Sequence, residues 1–239
     1  MARPTLQKHI PNLQKAIQEM AWRQIASRGA PALSLRAIAR ELKITAPAIY
    51  TYYPSRDDLI TALAVDALIS LADSQKRSIQ SIPASELELR LTALGLAYRD
   101  WALQYEQRYL LIFGTPLPGY QVPDKSTMPA AAWAIGPLIE TVQALGDAGR
   151  LRAERLPTLT PALRSMLEGW GEWIGESGRV VHIEALYLAF VIWSRVHGLV
   201  MLELGHQNPP FVTDPGEIFR REIECIKVQY LKPFGRKLR

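Results

Sequence analysis

A single cysteine in 239 residues, Cys225, leaves no partner for an internal disulfide. The fold must therefore be held by its core, and the composition suits a reducing compartment such as the cytoplasm. No apolar run approaches the roughly 18 residues expected of a membrane-spanning helix; the longest, Ala185–Trp193, has nine. The opening residues Met1-Ala2-Arg3-Pro4-Thr5 carry charge with no apolar stretch behind it. Neither a signal peptide nor a membrane partner is expected. Period-two alternation and Asn-Gly or Asp-Gly hairpin turns are missing, which removes the usual marks of sheet. Signatures of catalysis are missing as well. There is no G-x-S-x-G, no phosphate-binding P-loop and no G-x-G-x-x-G. The four histidines (His9, His182, His197 and His206) have no metal-ligand spacing, so no metal or cofactor is expected. An enzyme is not expected either.

What is present is a helical chain with enough apolar residues, 48 %, for a sizeable core. The net charge of +5 is unevenly spread. Residues 1–56 hold nine Lys/Arg (Arg3, Lys8, Lys15, Arg23, Arg28, Arg36, Arg40, Lys43, Arg56) against Glu19 and Glu41, a surplus of +7. The remainder holds 19 basic and 21 acidic residues. A basic head on a near-neutral body is the electrostatic footprint of a polyanion-binding module.

Helix periodicity and punctuation predict about ten helices in an all-α fold. Leu13, Ile17, Met20 (or Ala21) and Ile25 (or Gln24) mark a first helix over about Asn12–Ser27, stopped by Gly29. Ser34 caps a second, Leu35–Leu42. Thr45 caps a third, with Pro47 in its first turn and an end near Tyr53-Pro54. Ser55 with Asp58 opens a fourth that runs to about Gln80. Ser85 with Glu88 opens a fifth, to about Glu106, and a short helix covers Arg108–Phe113. Three prolines and two glycines make Gly114–Pro123 a loop. Further helices are predicted over Pro129–Ala148 (bent at Gly136-Pro137), Thr160–Glu176, Val181–Leu204 and Asp214–Leu231.

Residues 34–56, SLRAIARELKITAPAIYTYYPSR, place two short helices three residues apart across Leu42-Lys43-Ile44. Leu35, Ile38, Ala39, Leu42, Ile44, Ile49 and Tyr53 form the inward pattern of a helix-turn-helix. In that motif the third helix enters the major groove and its partner braces against the backbone. Tyr50, Tyr52, Arg56 and Lys43 suit phosphate oxygens. The exposed tip of the third helix, Thr45, Ala46, Pro47 and Ala48, is short and apolar, suited to thymine methyls but without a bidentate base reader. Arg36, or Arg3 of the N-terminal arm, is a further candidate contact. The expected partner is double-stranded DNA. The expected domains are 1–56, binding DNA, and 57–239, a larger helical domain.

The stretch Leu13–Leu63 resembles the DNA-binding domain of tetracycline-repressor (TetR) regulators. Gly29, Ile38-Ala39, Ile44, Thr45, Tyr50, Tyr52-Tyr53, Ser55-Arg56 and Asp57-Asp58-Leu59 carry the resemblance. Tyr52 stands where that family commonly has His, and Arg56 where it commonly has Lys. Further on, Trp193-Ser-Arg-Val-His197-Gly198, together with Leu111-Ile-Phe-Gly114 through Pro118-Gly119-Tyr120, resembles the family's Trp/His-Gly subgroup.

Aromatic stripes recur at helical spacing in the larger domain: Leu94, Tyr98, Trp101, Tyr105; Met166, Trp170, Trp173; Leu186, Phe190, Trp193, His197. Each stripe suits ordinary core as well as the wall of a pocket for an apolar or aromatic molecule. His197 could orient a ligand, but a lone His on such a face is more often a satisfied structural histidine. With Phe113 and Trp133, the candidate ligand-binding residues are Tyr98, Trp101, Tyr105, Phe113, Trp133, Met166, Trp170, Trp173, Trp193 and His197. The family resemblance implies such a pocket, release of DNA when it fills, a homodimer built on the last two helices, and a near-palindromic operator. The stripes proposed for the dimer contact are Ile192, Val196, Leu199, Val200 and Phe219, Ile223, Ile226, Tyr230. An effector-independent DNA-binding protein and an activator are the alternatives.

Overall fold

The computed structural model describes residues 12–174 and 181–233. Those residues form ten α-helices: α1 Leu13–Arg28, α2 Leu35–Leu42, α3 Ala46–Tyr50, α4 Arg56–Ile79, α5 Leu87–Gln104, α6 Glu106–Phe113, α7 Asp124–Asp147, α8 Pro161–Ile174, α9 Ile183–Leu204 and α10 Pro215–Tyr230. Among the described residues the one β-type pairing is an isolated antiparallel bridge, Leu151 to Leu231. The all-α expectation is met.

Local chemistry sets most boundaries. Asn12 caps α1 by accepting the Lys15 amide at 3.2 Å, and Gly29 ends it at φ 77°, a left-handed value that glycine adopts without a Cβ penalty. Asp214 accepts the Glu217 amide at 3.0 Å to open α10, with Pro215 in the first turn. One expected boundary shifts by more than a turn. α7 starts five residues before Pro129, at Asp124, and runs through both Pro129 and Pro137. Two side-chain bonds to helix carbonyls lie near the second proline. Thr141 donates to the Pro137 carbonyl at 2.8 Å, and the buried Gln75 amide donates to the Ala134 carbonyl, also at 2.8 Å. The expected end of α8 at Glu176 lies outside the described residues.

The chain folds into two compact units. Among the described residues the first comprises 12–68 with 105–130, and the second 69–104 with 131–174 and 181–233. The expected division at residue 56 therefore does not coincide with the packing. Leu59, Ile60 and Leu63 of α4 are fully buried in the same core as Ile17, Ile38 and Ile49. Each such aliphatic side chain contributes roughly 1.5–3 kcal/mol by leaving water. Leu111, Leu117 and Tyr120 pack against that core from the later segment.

In the second unit α9 is the central helix, packed by α5, α8 and α10. It is long and apolar enough to cross a membrane by length and mean hydropathy, 1.6. Part of its apolar surface is used in packing, as Leu186, Ala189 and Val200 show, all nearly fully buried. Its Glu203 and Arg195 are paired with Arg99 of α5 and Glu222 of α10. The stripes expected at a dimer contact are corrected here. Ile192, Val196 and Val200 of α9 and Phe219, Ile223, Ile226 and Tyr230 of α10 are buried within one chain, and Leu199 is half-buried. α5 passes so close to α10 that a Cβ on Gly95 would lie 2.8 Å from the tip of Ile223.

Candidate nucleic-acid interface

The start of α2 is fixed by two side chains. Ser34 Oγ accepts the Ala37 amide at 3.3 Å, and Gln24 Oε1 accepts the Ser34 amide at 3.2 Å. Gln24 is buried on α1, so it aligns α2 from beneath, satisfying an amide that the helix itself leaves unpaired. Sequence reasoning placed Gln24 only as an alternative to Ile25 on the inward face of α1 and gave it no role; its signal is a polar residue among the inward positions of that helix. α2 ends at Lys43, whose backbone is left-handed, φ 56° and ψ 40°. For a non-glycine residue this costs roughly 1 kcal/mol, and it places an exposed ammonium in the turn. Ile44 then donates to the Ala39 carbonyl at 3.0 Å, closing the turn into α3.

Thr45 precedes α3 as expected, but its hydroxyl does not cap the helix. Pro47 has no N–H to give, and the Ala48 amide is taken by Thr45's own carbonyl at 3.1 Å. Thr45 and Pro47 are exposed, while Ala46 and Ala48 are half-buried. Tyr50 and Tyr52 stand 43 % and 44 % exposed, whereas Tyr53 beside them is 3 % exposed in the core. Two of the three phenols are thus left for an outside partner. Arg36 and Arg40 are exposed on α2. The expected contribution of Arg3 lies outside the described residues.

Arg56 sits differently from its expected role. Its Nη2 donates to the carbonyls of Ala30 and Pro31 at 3.2 and 3.3 Å, and its Nη1 lies 3.7 Å from Asp57. It ties the start of α4 to the turn before α2. Beside it Ser55 accepts the Asp58 amide at 3.1 Å, the first half of the expected capping box, while the Asp58 carboxylate accepts from the Ser55 hydroxyl at 2.7 Å rather than from its amide. Two further contacts brace the same unit. Arg108 meets Asp66 at 2.9 Å with its guanidinium 5.1 Å from the Trp22 ring, and the Tyr120 hydroxyl meets Thr61 at 2.9 Å.

The candidate ligand-binding residues divide. In the second unit Trp170, Phe190, Trp193 and His197 form a continuous row, with ring centroids 6.1, 6.0 and 5.0 Å apart in turn. The Tyr98 hydroxyl reaches His197 Nδ1 at 2.9 Å. Burial pushes the His197 imidazolium down from its ordinary value, favouring the neutral ring. Trp173 is half-buried on α8. Trp101 is 2 % exposed, with its N–H donating to Ser70 at 3.1 Å, which makes it core. Met166 is 71 % exposed, because α8 buries Leu167 instead. Trp133 is exposed beneath the Lys76 ammonium. Tyr105 falls beyond the end of α5 and, like Phe113, belongs to the first unit. Phe113 packs on Tyr109 with centroids 5.0 Å apart.

Comparison with known proteins gives two family matches. Residues 17–63 match "Bacterial regulatory proteins, tetR family", and residues 91–226 match "Tetracyclin repressor-like, C-terminal domain". The second description does not single out the Trp/His-Gly subgroup. An HTH-type transcriptional regulator of Mycobacterium tuberculosis is 33 % identical over 215 residues, covering 90 % of each chain. Among solved structures, a regulatory protein designated SCO4313 is 35 % identical, covers 91 % of this chain and 98 % of its own, and superposes with a TM-score of 0.71. SmeT, solved as a complex with triclosan, is 11 % identical, with 93 % of each chain covered and a TM-score of 0.64; that likeness is one of fold.

Proposed function

The chain belongs to the tetracycline-repressor family of bacterial regulatory proteins and is a DNA-binding transcriptional regulator, and from that premise we propose that it is a cytoplasmic, dimeric repressor released from a near-palindromic operator by a small apolar or aromatic effector. The observation that carries the DNA arm is the exposed set Arg36, Lys43, Thr45, Pro47, Tyr50 and Tyr52 over one rigid core. Cations and hydroxyls there suit phosphate oxygens, which position a protein on the duplex. Two-fold symmetry of a dimer asks for two half-sites about one helical turn apart, roughly 34 Å.

The effector arm is supported by the Trp170–Phe190–Trp193–His197 row with the Tyr98 hydroxyl at its end, apolar surface with few polar groups. SmeT, of the same fold, was solved with triclosan, an aromatic compound. α4 contributes residues to both units, and it is the element we assign as the lever that changes the spacing of the two recognition helices. Release then requires the effector to bind the non-matching spacing more tightly.

The test is binding of the full chain to DNA upstream of its own coding sequence against a scrambled duplex, across salt. With six to ten phosphate contacts, affinity falls by roughly 10³–10⁵ between 50 and 200 mM salt. Arg36→Ala and Lys43→Ala each lower the salt slope by about 1. Arg56→Ala weakens binding with the slope unchanged, since its guanidinium is spent on Ala30 and Pro31. Absence of any duplex binding at low salt overturns the DNA arm. A compound that raises Tm but leaves operator affinity unaltered overturns the effector arm.

A further inference from the structure

The outward face of α3 has an unusual chemistry for a base-reading helix. Ile49 is fully buried and fixes which side faces the core. Each residue turns an α-helix by about 100°, so Pro47 and the helix-ending Thr51 both stand about 160° from Ile49. They form the outermost ridge, and both are exposed. Ala48 and Tyr50 flank them.

The Thr51 hydroxyl donates to the Pro47 carbonyl at 3.2 Å. Its proton is committed to its own helix, and its methyl is what remains to face outward. The outward face is therefore a pyrrolidine ring and the methyl groups of Thr51 and the flanking, half-buried Ala48, with the hydroxyls of Tyr50 and Thr45 at its edges. Two-pronged hydrogen bonding to guanine or adenine needs a guanidinium, ammonium or side-chain amide, and residues 45–51 contain none. The exposed cations Arg36, Arg40 and Lys43 belong to α2 and the turn after it, the helix that braces on the backbone. Thymine is the one base whose major-groove edge carries a methyl.

We infer that α3 selects its site through thymine C5-methyl groups, with Thr51, Pro47 and Ala48 as the residues that meet them, while the cations of α2 supply affinity without base choice. This rests on the operator-binding reading above. It adds Thr51 as a specificity-determining residue and names the feature of DNA that it reads.

The full-length protein is used to enrich a binding site from a randomised duplex pool. Each thymine of the enriched site is then replaced singly by deoxyuridine, which removes one methyl and leaves the base-pairing edge intact. At one or more thymines per half-site, Kd rises about four-fold, the equivalent of roughly 0.8 kcal/mol for one buried methyl or methylene group. Thr51→Ser keeps the hydroxyl and loses the methyl. It weakens binding to thymine DNA by a similar factor and abolishes the further loss on deoxyuridine at one of those positions. A site enriched without thymine in the half-site, or one whose thymines all tolerate deoxyuridine, overturns methyl reading and leaves operator binding intact. No enriched sequence at all overturns operator binding itself, and methyl reading falls with it.

Discussion

His197 shows how a single side chain can make the second unit sensitive to pH. Its Nδ1 meets the Tyr98 hydroxyl at 2.9 Å, and its ring lies 5.0 Å from Trp193. Burial lowers its proton affinity in the folded chain, whereas the unfolded chain keeps an ordinary value near 6.5. Below that value the unfolded state takes up a proton that the native state resists. Stability is therefore fully present above about pH 6.5 and is lost as pH falls toward the lower folded value. His197→Asn keeps an acceptor for Tyr98 and removes the titration. The margin by which wild-type Tm exceeds the variant's is expected to shrink between pH 7.5 and pH 5. Thermal melts across that range check this, and a margin that holds or widens would falsify it.

At the scale of elements, the bond that joins α5 to α9 carries the next prediction. Arg99 Nε and Nη2 donate to Glu203 at 2.8 and 2.5 Å, with both side chains 16 % exposed. The same guanidinium lies 5.8 Å from the Phe219 ring of α10. Exposed pairs contribute at most about 1 kcal/mol, and losing one partner of a buried pair costs about 3–5 kcal/mol. Glu203→Ala is expected near 2 kcal/mol, a Tm drop of roughly 4–8 °C for a chain of this size. Arg99→Ala in the same chain should recover part of it, because no uncompensated charge is then left. A double variant less stable than the sum of the two singles would contradict this reading. The pair is 104 residues apart in sequence and had no local signature, unlike the capping residues. Ser34, Ser55 with Asp58, Asp214 and Gly29 were legible because a helix end is decided within four residues. Which face of a helix points inward was less so. α8 offers Met166, Trp170 and Trp173 on one stripe, yet buries Leu167, because its neighbours rather than its own spacing decide. Tyr105 kept the period of α5 but fell past its last turn, and Arg56 matched a family position while its donors turned to backbone carbonyls.

The whole molecule as proposed is a pair of chains, and α10 is where that proposal is most exposed to test. Its Phe219, Ile223, Ile226 and Tyr230 are used up within one chain. Its other side carries Ile218 and Val228, 45 % and 71 % exposed, with the exposed Cys225 between them. These three recur at spacings of seven and three, which places them on one helix face. Arg195 of α9 reaches over to Glu222 and Gln229, so α9 and α10 are tied together on the flank of that face. A two-fold contact is self-complementary, bringing the same patch of each chain together. Val228→Glu would then set a carboxylate from each chain near the other in an apolar contact, where removal from water without a partner is costly. The expected outcome is a halving of the mass seen by light scattering, with helical content unchanged by circular dichroism. Operator affinity should fall steeply, since one recognition helix holds only one half-site. Val228→Thr, similar in shape and uncharged, should remain dimeric. If Val228→Glu stays a dimer with full operator affinity, the two-fold contact lies on another face. If the wild type is a monomer that binds its operator tightly, the paired architecture itself is wrong.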